Sequence, residues 1–380
     1  MRVAIVTESF LPQINGVTNS VLRVLEALRA GGHEAMVLAP DDPKGVPSHY
    51  LGFPVHTVGS LPLPWYTDFR VATVTVATIE RKLADFAPDV VHLAAPVLLG
   101  RTALIAAGRL GLPTVALYQT DVPSYAVRYG YPLAESAVWR HMRRVHDMAT
   151  LTLAPSSFTR DQLLRHGFPR VGVWGRGVDS VRFCPGRRDE SLHERWAPHG
   201  ECVIGYLGRL GAEKRVSDLA VLGDIPNTRL VIIGDGPQRE ELHEQLPRAI
   251  FTGARTGDAL PRHLASADLF VHPGELETFG QTLQEASACA LPVIAPRMGG
   301  PVDIVQEGRT GHLYAPGDMA DLHDSVAQLV ADPQLRGRLG NNARLAMEPR
   351  TWPRMCAQLF SYYGQAITMT RSTTAAAVAA

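Results

Sequence analysis

Cysteine is scarce in this chain of 380 residues, and the four present, Cys184, Cys202, Cys289 and Cys356, form no CxxC pair. Such scattering excludes the common zinc and disulfide frameworks and predicts reduced thiols, each an ordinary core or surface residue. A charge excess of one sign is also lacking: 37 basic and 37 acidic side chains cancel, so no overall field draws nucleic acid. No apolar run approaches the ~20 residues that span a bilayer. The opening residues enter a strand pattern rather than the charged, apolar and cleavage segments of a secretory signal, so the expectation is a cytoplasmic protein with at most peripheral membrane contact. No GxGxxG follows the first strand, which weighs against a nicotinamide enzyme. His, Asp and Glu are too dispersed for a metal cage, so no metal and no cofactor is expected.

What is present is alternation. The run VAIV at residues 3–6 leads through a polar loop to Gly16, then to a helical pattern with Leu22, Leu25 and Leu28 on one face, stopped by Gly31 and Gly32. Further buried-strand runs stand at 35–39, 90–93, 114–117 and 151–154. A second series occupies 202–206, 230–233, 250–251, 269–271 and 293–295, with helical stretches between. Pro237 suits the first turn of a helix ending near Leu246, since proline lacks the N–H that would be unsatisfied there. The chain exceeds the ~250–300 residues one core supports, so two α/β domains with parallel sheets are expected. The polar stretch 180–200 marks the division: 1–185 as the N-terminal Rossmann-like domain, 200–350 as the C-terminal one, 351–368 as a closing helix packing back on the first, and 369–380 as a frayed tail. Sheets of this kind bind ligands at the carboxyl ends of their strands, so the ligand is expected in a cleft between two facing domains.

The stretch HPGELETFGQTLQE, residues 272–285, is the most informative, since it follows the 269–271 strand and sets Glu277 and Glu285 eight residues apart. Residues 278–281 are expected to open a helix whose free N–H groups and positive dipole end suit a diphosphate, with Gly280 permitting close approach. After the first strand of the second series comes GRLGAEK, where Arg209 offers a planar fork and Lys214 a compact charge, a pairing suited to a departing diphosphate. Alone, Glu277 and Glu285 read as ordinary acids of a first helical turn. Joined with Arg209, Lys214 and the glycines they read as donor-binding. His33 reads as a turn residue, while His92 and His272 stand at strand ends where structural and ligand roles are both open.

Taken in order, GRLGAEK, the Glu277 to Glu285 spacing, LPVIAPRMGG at 291–300 and Thr310-Gly311 resemble family 4 of the retaining glycosyltransferases. The resemblance runs from VAIVTESFLPQINGV to the helix at Trp352 and implies the GT-B fold. It implies that Arg209 and Lys214 hold the donor phosphates, Glu277 the sugar hydroxyls near the reacting carbon, and Glu285 the ribose. Gly16 and the backbone of Phe279, Gly280 and Gln281 would complete the phosphate pocket, with Gly253 and Arg255 in the loop beside the base. It further implies front-face attack with no protein nucleophile and no metal, leaving Arg209, Lys214 and Glu277 as the catalytic set.

Within the family, ESFLPQINGVTNSV, VVHLAAPVLLG, YQTDVP and FVHPGELETF look most like actinobacterial GDP-mannose-dependent α-mannosyltransferases acting on glycolipid anchors; sulfoquinovosyl transferases are similar in the same places. The implied reaction moves mannose from GDP-mannose to a glycolipid or other hydroxyl acceptor. Alternatives are a UDP-sugar donor (glucose, N-acetylglucosamine or sulfoquinovose), a nucleotide-sugar epimerase, a phosphorylase, and a non-catalytic nucleotide-sugar-binding protein. Many family members carry histidine near residue 119. Here Gln119 cannot shuttle a proton, which leaves Asp121 or the phosphate on the acceptor side. Residues 90–180 hold ten arginines against five acids, and 137–145 mixes basic and bulky apolar residues at helical spacing. That segment reads either as a peripheral contact with anionic lipid on the cytoplasmic face or as a core-facing helix with a solvated basic side.

Overall fold

The computed structural model describes residues 1–63, 66–121, 123 and 135–379, which leaves Val122 and Arg128 outside the described residues. The chain forms two compact units, one of Met1–Gly175 with Trp352–Ala380 and one of Arg176–Thr351.

The first unit carries strands β1 (Arg2–Thr7), β2 (Glu34–Pro40), β3 (His49–Tyr50), β4 (Phe53–Val58), β5 (Ser60–Leu63), β6 (Tyr66–Ala72), β7 (Val90–Ala94), β8 (Thr114–Leu117), β9 (Leu151–Ala154) and β10 (Val171–Val173). Eight of them form one sheet in the order β10-β9-β8-β7-β1-β2-β4-β3, while β5 and β6 pair as a hairpin. All ladders of the large sheet are parallel except β3 with β4. The central strands are largely apolar because helices cover both faces of a parallel sheet. Between them run α1 (Gly16–Ala30), α2 (Val76–Phe86), α3 (Leu99–Arg109), α4 (Glu135–Asp147) and α5 (Ser157–Arg165). Asn15 caps α1, its side chain accepting from the N–H groups of Val17 and Thr18 at 2.9 Å each.

Helix α4 separates its two characters cleanly. Trp139 and Met142 are buried with Tyr118, Leu163 and Phe168, whereas Arg140, Arg143 and Arg144 face solvent. The bulky apolar residues of 137–145 therefore serve the core, and only the basic side is available to a partner. Part of the arginine excess is also matched locally, by Arg109 with Glu80, Arg143 with Asp147 and Arg160 with Asp161.

The second unit has helices α6 (Glu190–Trp196), α7 (Arg239–Gln245), α8 (Ala259–Ala265), α9 (Gln281–Ala288), α10 (Pro301–Ile304), α11 (Met319–Ala331) and α12 (Pro333–Met347). Its strands are β11 (Cys202–Leu207), β12 (Thr228–Ile233), β13 (Ile250–Gly253), β14 (Leu269–Val271), β15 (Val293–Pro296) and β16 (Gly311–Tyr314), all parallel, in the order β13-β12-β11-β14-β15-β16.

Helix α13 (Trp352–Ala379) closes the chain, and its Cys356, Leu359, Tyr363 and Ala366 are buried in the first unit's core beside Val3 and Ile5. The helix continues through the segment from 369 that the sequence reading leaves frayed. No helix among the described residues is long and apolar enough to cross a membrane.

Two boundaries fall elsewhere than the sequence pattern suggests. The passage into the second unit comes at Arg176, ahead of the polar stretch 180–200, because Val178 and Phe183 bury in the second core and Arg344 binds the carbonyls of Ser180 and Phe183. Pro237 precedes α7 rather than occupying its first turn. The backbone at Gly234 and Gly236 packs so closely on Gly208 and Leu210 that a Cβ at either would collide, and Gln238 N–H donates to Leu210 O before the helix begins.

Candidate active site

In the second unit the strand order reverses between β11 and β14, and two loops leave the sheet there, 208–214 after β11 and 272–280 after β14. This is the point where open parallel sheets bind ligands. Lys214, at the end of a short 3₁₀ turn Ala212–Lys214, donates from Nζ to Glu277 Oε2 at 2.7 Å. Oε1 of Glu277 accepts from Gly280 N–H at 2.9 Å and Phe279 N–H at 3.4 Å, and its backbone carbonyl accepts from Gly300 N–H at 2.7 Å. Burial by itself would raise this carboxyl, but the Lys214 and His272 charges and these hydrogen bonds hold it down at about 2. Glu277 is therefore ionised across the physiological range.

Two further cations near this point have anions beside them. Arg209 Nη1 stands 3.7 Å from Oε1 of the buried Glu213, and Arg215 reaches Asp218 and Glu275 at 2.7 Å each. Arg176 places its guanidinium 5.6 Å from the Phe279 ring centroid. Burial brings its pKa down to about 10, opposed by the Glu277 charge. Beneath the loops His272 is fully buried, its ring stacked on Tyr206 with centroids 6.4 Å apart and planes at 13°, while Tyr206 OH donates to Arg209 O at 3.1 Å.

The start of α9 departs from expectation. The N–H groups of Phe279 and Gly280 were expected to face a diphosphate, but both donate to Glu277 Oε1. Gly280 has φ +93°, and a Cβ there would stand 2.9 Å from Ile304 Cδ1, so glycine is required by the turn itself. The N–H groups of Gln281 and Thr282, one step further on, are those a helix start leaves without intrahelical partners. Gln281 Nε2 donates to Gly177 O at 3.3 Å and to Glu285 Oε1 at 3.4 Å. Burial raises the half-buried Glu285 to about 7, against the pull of Gln281 and of the Arg182 charge.

Arg209, Lys214, Glu277, Phe279, Gly280, Gln281 and Glu285 thus gather around one strand-order reversal. Gly253 and Arg255 stand apart at the end of β13, two strands from β11, with the Arg255 guanidinium bonded to Thr252 O. Gly16, Gln119 and Asp121 belong to the first unit. Gly16 is the first residue of α1, and Asp121, buried like Gln119, accepts from Tyr118 OH at 3.1 Å. The reversal point of that unit, between β1 and β7, holds a residue sequence reasoning missed. Glu8, buried, accepts from the N–H groups of Val97, Leu98, Leu99 and Gly100 at 2.8 to 3.3 Å. No local signal marked it, since its partners lie about ninety residues away. Glu213 and Arg176 were missed as well. The four-residue spacing from Arg209 could have found Glu213.

Known proteins resemble this chain in sequence and in fold. Residues 14–182 match the glycosyltransferase family 4 domain and residues 188–346 the glycosyl transferases group 1 domain. The chain is 48% identical over 380 residues to the GDP-mannose-dependent alpha-mannosyltransferase of Mycobacterium tuberculosis, covering 99% of each. It belongs to glycosyltransferase family 4. This glycosyltransferase is also 34% identical to a sulfoquinovosyl transferase of Arabidopsis thaliana, over 92% of its own length and 71% of that protein. The crystal structure of Anabaena HepE in complex with UDP superposes with a TM-score of 0.79 at 19% identity, over 96% of this chain and 100% of that one, which shows the GT-B fold. Among the described residues of the glycosyltransferase no group of three or more His, Cys, Asp or Glu is placed to hold a metal. All four cysteines are free, and burial pushes the Cys202 and Cys356 thiols up to about 12, which keeps them protonated and inert.

Proposed function

We propose that this glycosyltransferase moves mannose from GDP-mannose to a hydroxyl of a glycolipid, retaining the anomeric configuration and using no metal. The donor choice rests on the near-complete match to the mycobacterial enzyme. The chemistry rests on one observation, the 2.7 Å pair of Lys214 with Glu277 at the strand-order reversal of the second unit. A nucleoside diphosphate brings two or more negative charges to that point and competes with a single carboxylate for the ammonium. Lys214 turns to the diphosphate, Arg209 presents its fork to the same group, and Glu277, still ionised, is released to accept hydrogen bonds from the sugar hydroxyls.

As the bond to the sugar breaks, negative charge grows on the leaving diphosphate, and fixed cations in a partly desolvated site stabilise it most at that moment. Glu285 would take the ribose hydroxyls, while Gly253 and Arg255 would lie beside the base. Gly16, Gln119 and Asp121 of the first unit would serve the phosphate and acceptor sides. The first unit is read as the acceptor domain and the second as the donor domain. The exposed Arg140, Arg143 and Arg144 would meet anionic lipid electrostatically on the cytoplasmic face, with no apolar insertion.

Thermal melting with GDP-mannose, UDP-glucose, UDP-sulfoquinovose and UDP-N-acetylglucosamine, with a chelator present, tests the donor and metal assignments together. A selective rise in Tm with GDP-mannose is expected. The likeness to the sulfoquinovosyl transferase makes a UDP-sugar the second reading, and selectivity for one would replace the first. Lys214→Ala is expected to lower kcat about 100-fold or more, by about 3 kcal/mol of barrier, with a smaller change in donor binding. Unchanged kcat would remove Lys214 from the leaving-group role. The anomer of the product, read by NMR, decides retention.

A further inference from the structure

His272 is a buried polar side chain of the site that the proposed function does not use. His272 is 1% exposed, and neither ring nitrogen has a hydrogen-bond partner. Buried polar atoms in native proteins are nearly always paired, so an orphaned imidazole at a ligand-binding strand end calls for an explanation. Its Nε2 points at Glu277 Oε2 from 3.7 Å, just outside hydrogen-bond reach, and that same oxygen is the one taken by Lys214 Nζ.

The ring is held where it stands. Tyr206 stacks on it, and Tyr206 OH is fixed on the Arg209 carbonyl. Gly274 lies close to both His272 and Lys214: a Cβ there would lie 3.0 Å from His272 Nε2 and 3.4 Å from Lys214 Cα and O. The carboxylate oxygen 3.7 Å from Nε2 is the one that Lys214 occupies.

We propose that His272 is a positioning residue that takes over Glu277 Oε2 when a bound donor diphosphate draws Lys214 away. This rests on the reading of Lys214 as the diphosphate ligand. With Lys214 gone, Glu277 keeps its Oε1 bonds to the loop backbone but loses the 2.7 Å Lys214 contact on Oε2. A shift of less than 1 Å brings Nε2–H within bonding distance, about 3 Å. The carboxylate stays in one rotamer and ionised, aimed at the sugar hydroxyls, throughout the step in which Lys214 serves the leaving group. The neutral ring, carrying its proton on Nε2, suffices. Burial and the neighbouring Lys214 charge hold its pKa near 4, opposed by Glu277, so no second cation crowds the empty site.

Two amides separate this role from packing. Glutamine can set its amide nitrogen where imidazole Nε2 stands, and asparagine only where Nδ1 stands. His272→Gln is expected to keep kcat within a few-fold of wild type. His272→Asn and His272→Phe are expected to lose about 100-fold in kcat, as for a displaced catalytic group, with the donor KM changed much less. Equal loss in Gln, Asn and Phe, or full activity in Phe, would overturn the proposal. A histidine variant that fails to fold is replaced by Gly274→Ala, which presses on Nε2 while leaving the imidazole present. It is expected to lower kcat, and unchanged kcat counts against the role. Lys214→Ala in the same assay tells the two readings apart. If it retains activity the diphosphate assignment fails, whereas if it loses activity while His272→Phe does not, only the hand-over fails.

Discussion

Single side chains at this site have consequences for stability that run in opposite directions with pH. Glu277 has a folded pKa held below that of a free glutamate, so its contribution is full above about 4.5 and is lost as pH falls toward 2. Glu285 has a raised one, near 7, so the folded donor-free protein binds an extra proton between about 4.5 and 7 and stability declines as pH rises through that window. Melting curves of the donor-free protein across pH 4.5 to 7.5 should therefore flatten in Glu285→Gln relative to wild type; an identical slope would reject the raised pKa. The two acids eight residues apart were legible in the sequence as a pair, but not as opposites. Sequence spacing places them one on the loop and one on the helix, whereas their environments come from Lys214, His272 and Arg182, up to about a hundred residues away in sequence.

Among the elements, the long apolar strands were read correctly because strands buried on both faces of a parallel sheet leave unbroken apolar runs. The hairpin of β5 and β6 and the short β16, GHLY, carry no such run and were missed. The turn into α9 was legible as a glycine-bearing helix start, yet the destination of its N–H groups was not, since Glu277 folds back onto them only in three dimensions. That turn leans on a neighbouring loop: Gly300 N–H donates to Glu277 O, and a Cβ at Gly300 would collide with the Phe279 backbone. Gly300→Ala is expected to displace the 277–280 segment and abolish the donor-induced rise in Tm, even where the protein remains folded. A retained rise would show that the segment tolerates the shift.

Across the whole molecule, the first unit is built from two separated stretches of chain, with the entire second unit inserted between them. Helix α13 completes its core: Tyr363 is fully buried, and its OH meets His92 Nδ1. Tyr363→Ala is expected to destabilise the first unit by about 3–5 kcal/mol, as other buried aromatic truncations do, read by chemical denaturation. A cost under about 1 kcal/mol would mean that the helix is dispensable to that core. The order of manufacture follows from the same arrangement. A ribosome delivers all of the second unit before the residues that seal the first, so at about 5–20 residues per second the nascent amino-terminal sheet waits on the order of ten to forty seconds for Leu359 and Tyr363. The half that is made first is finished last, and during that interval its apolar face lacks the helix that covers it.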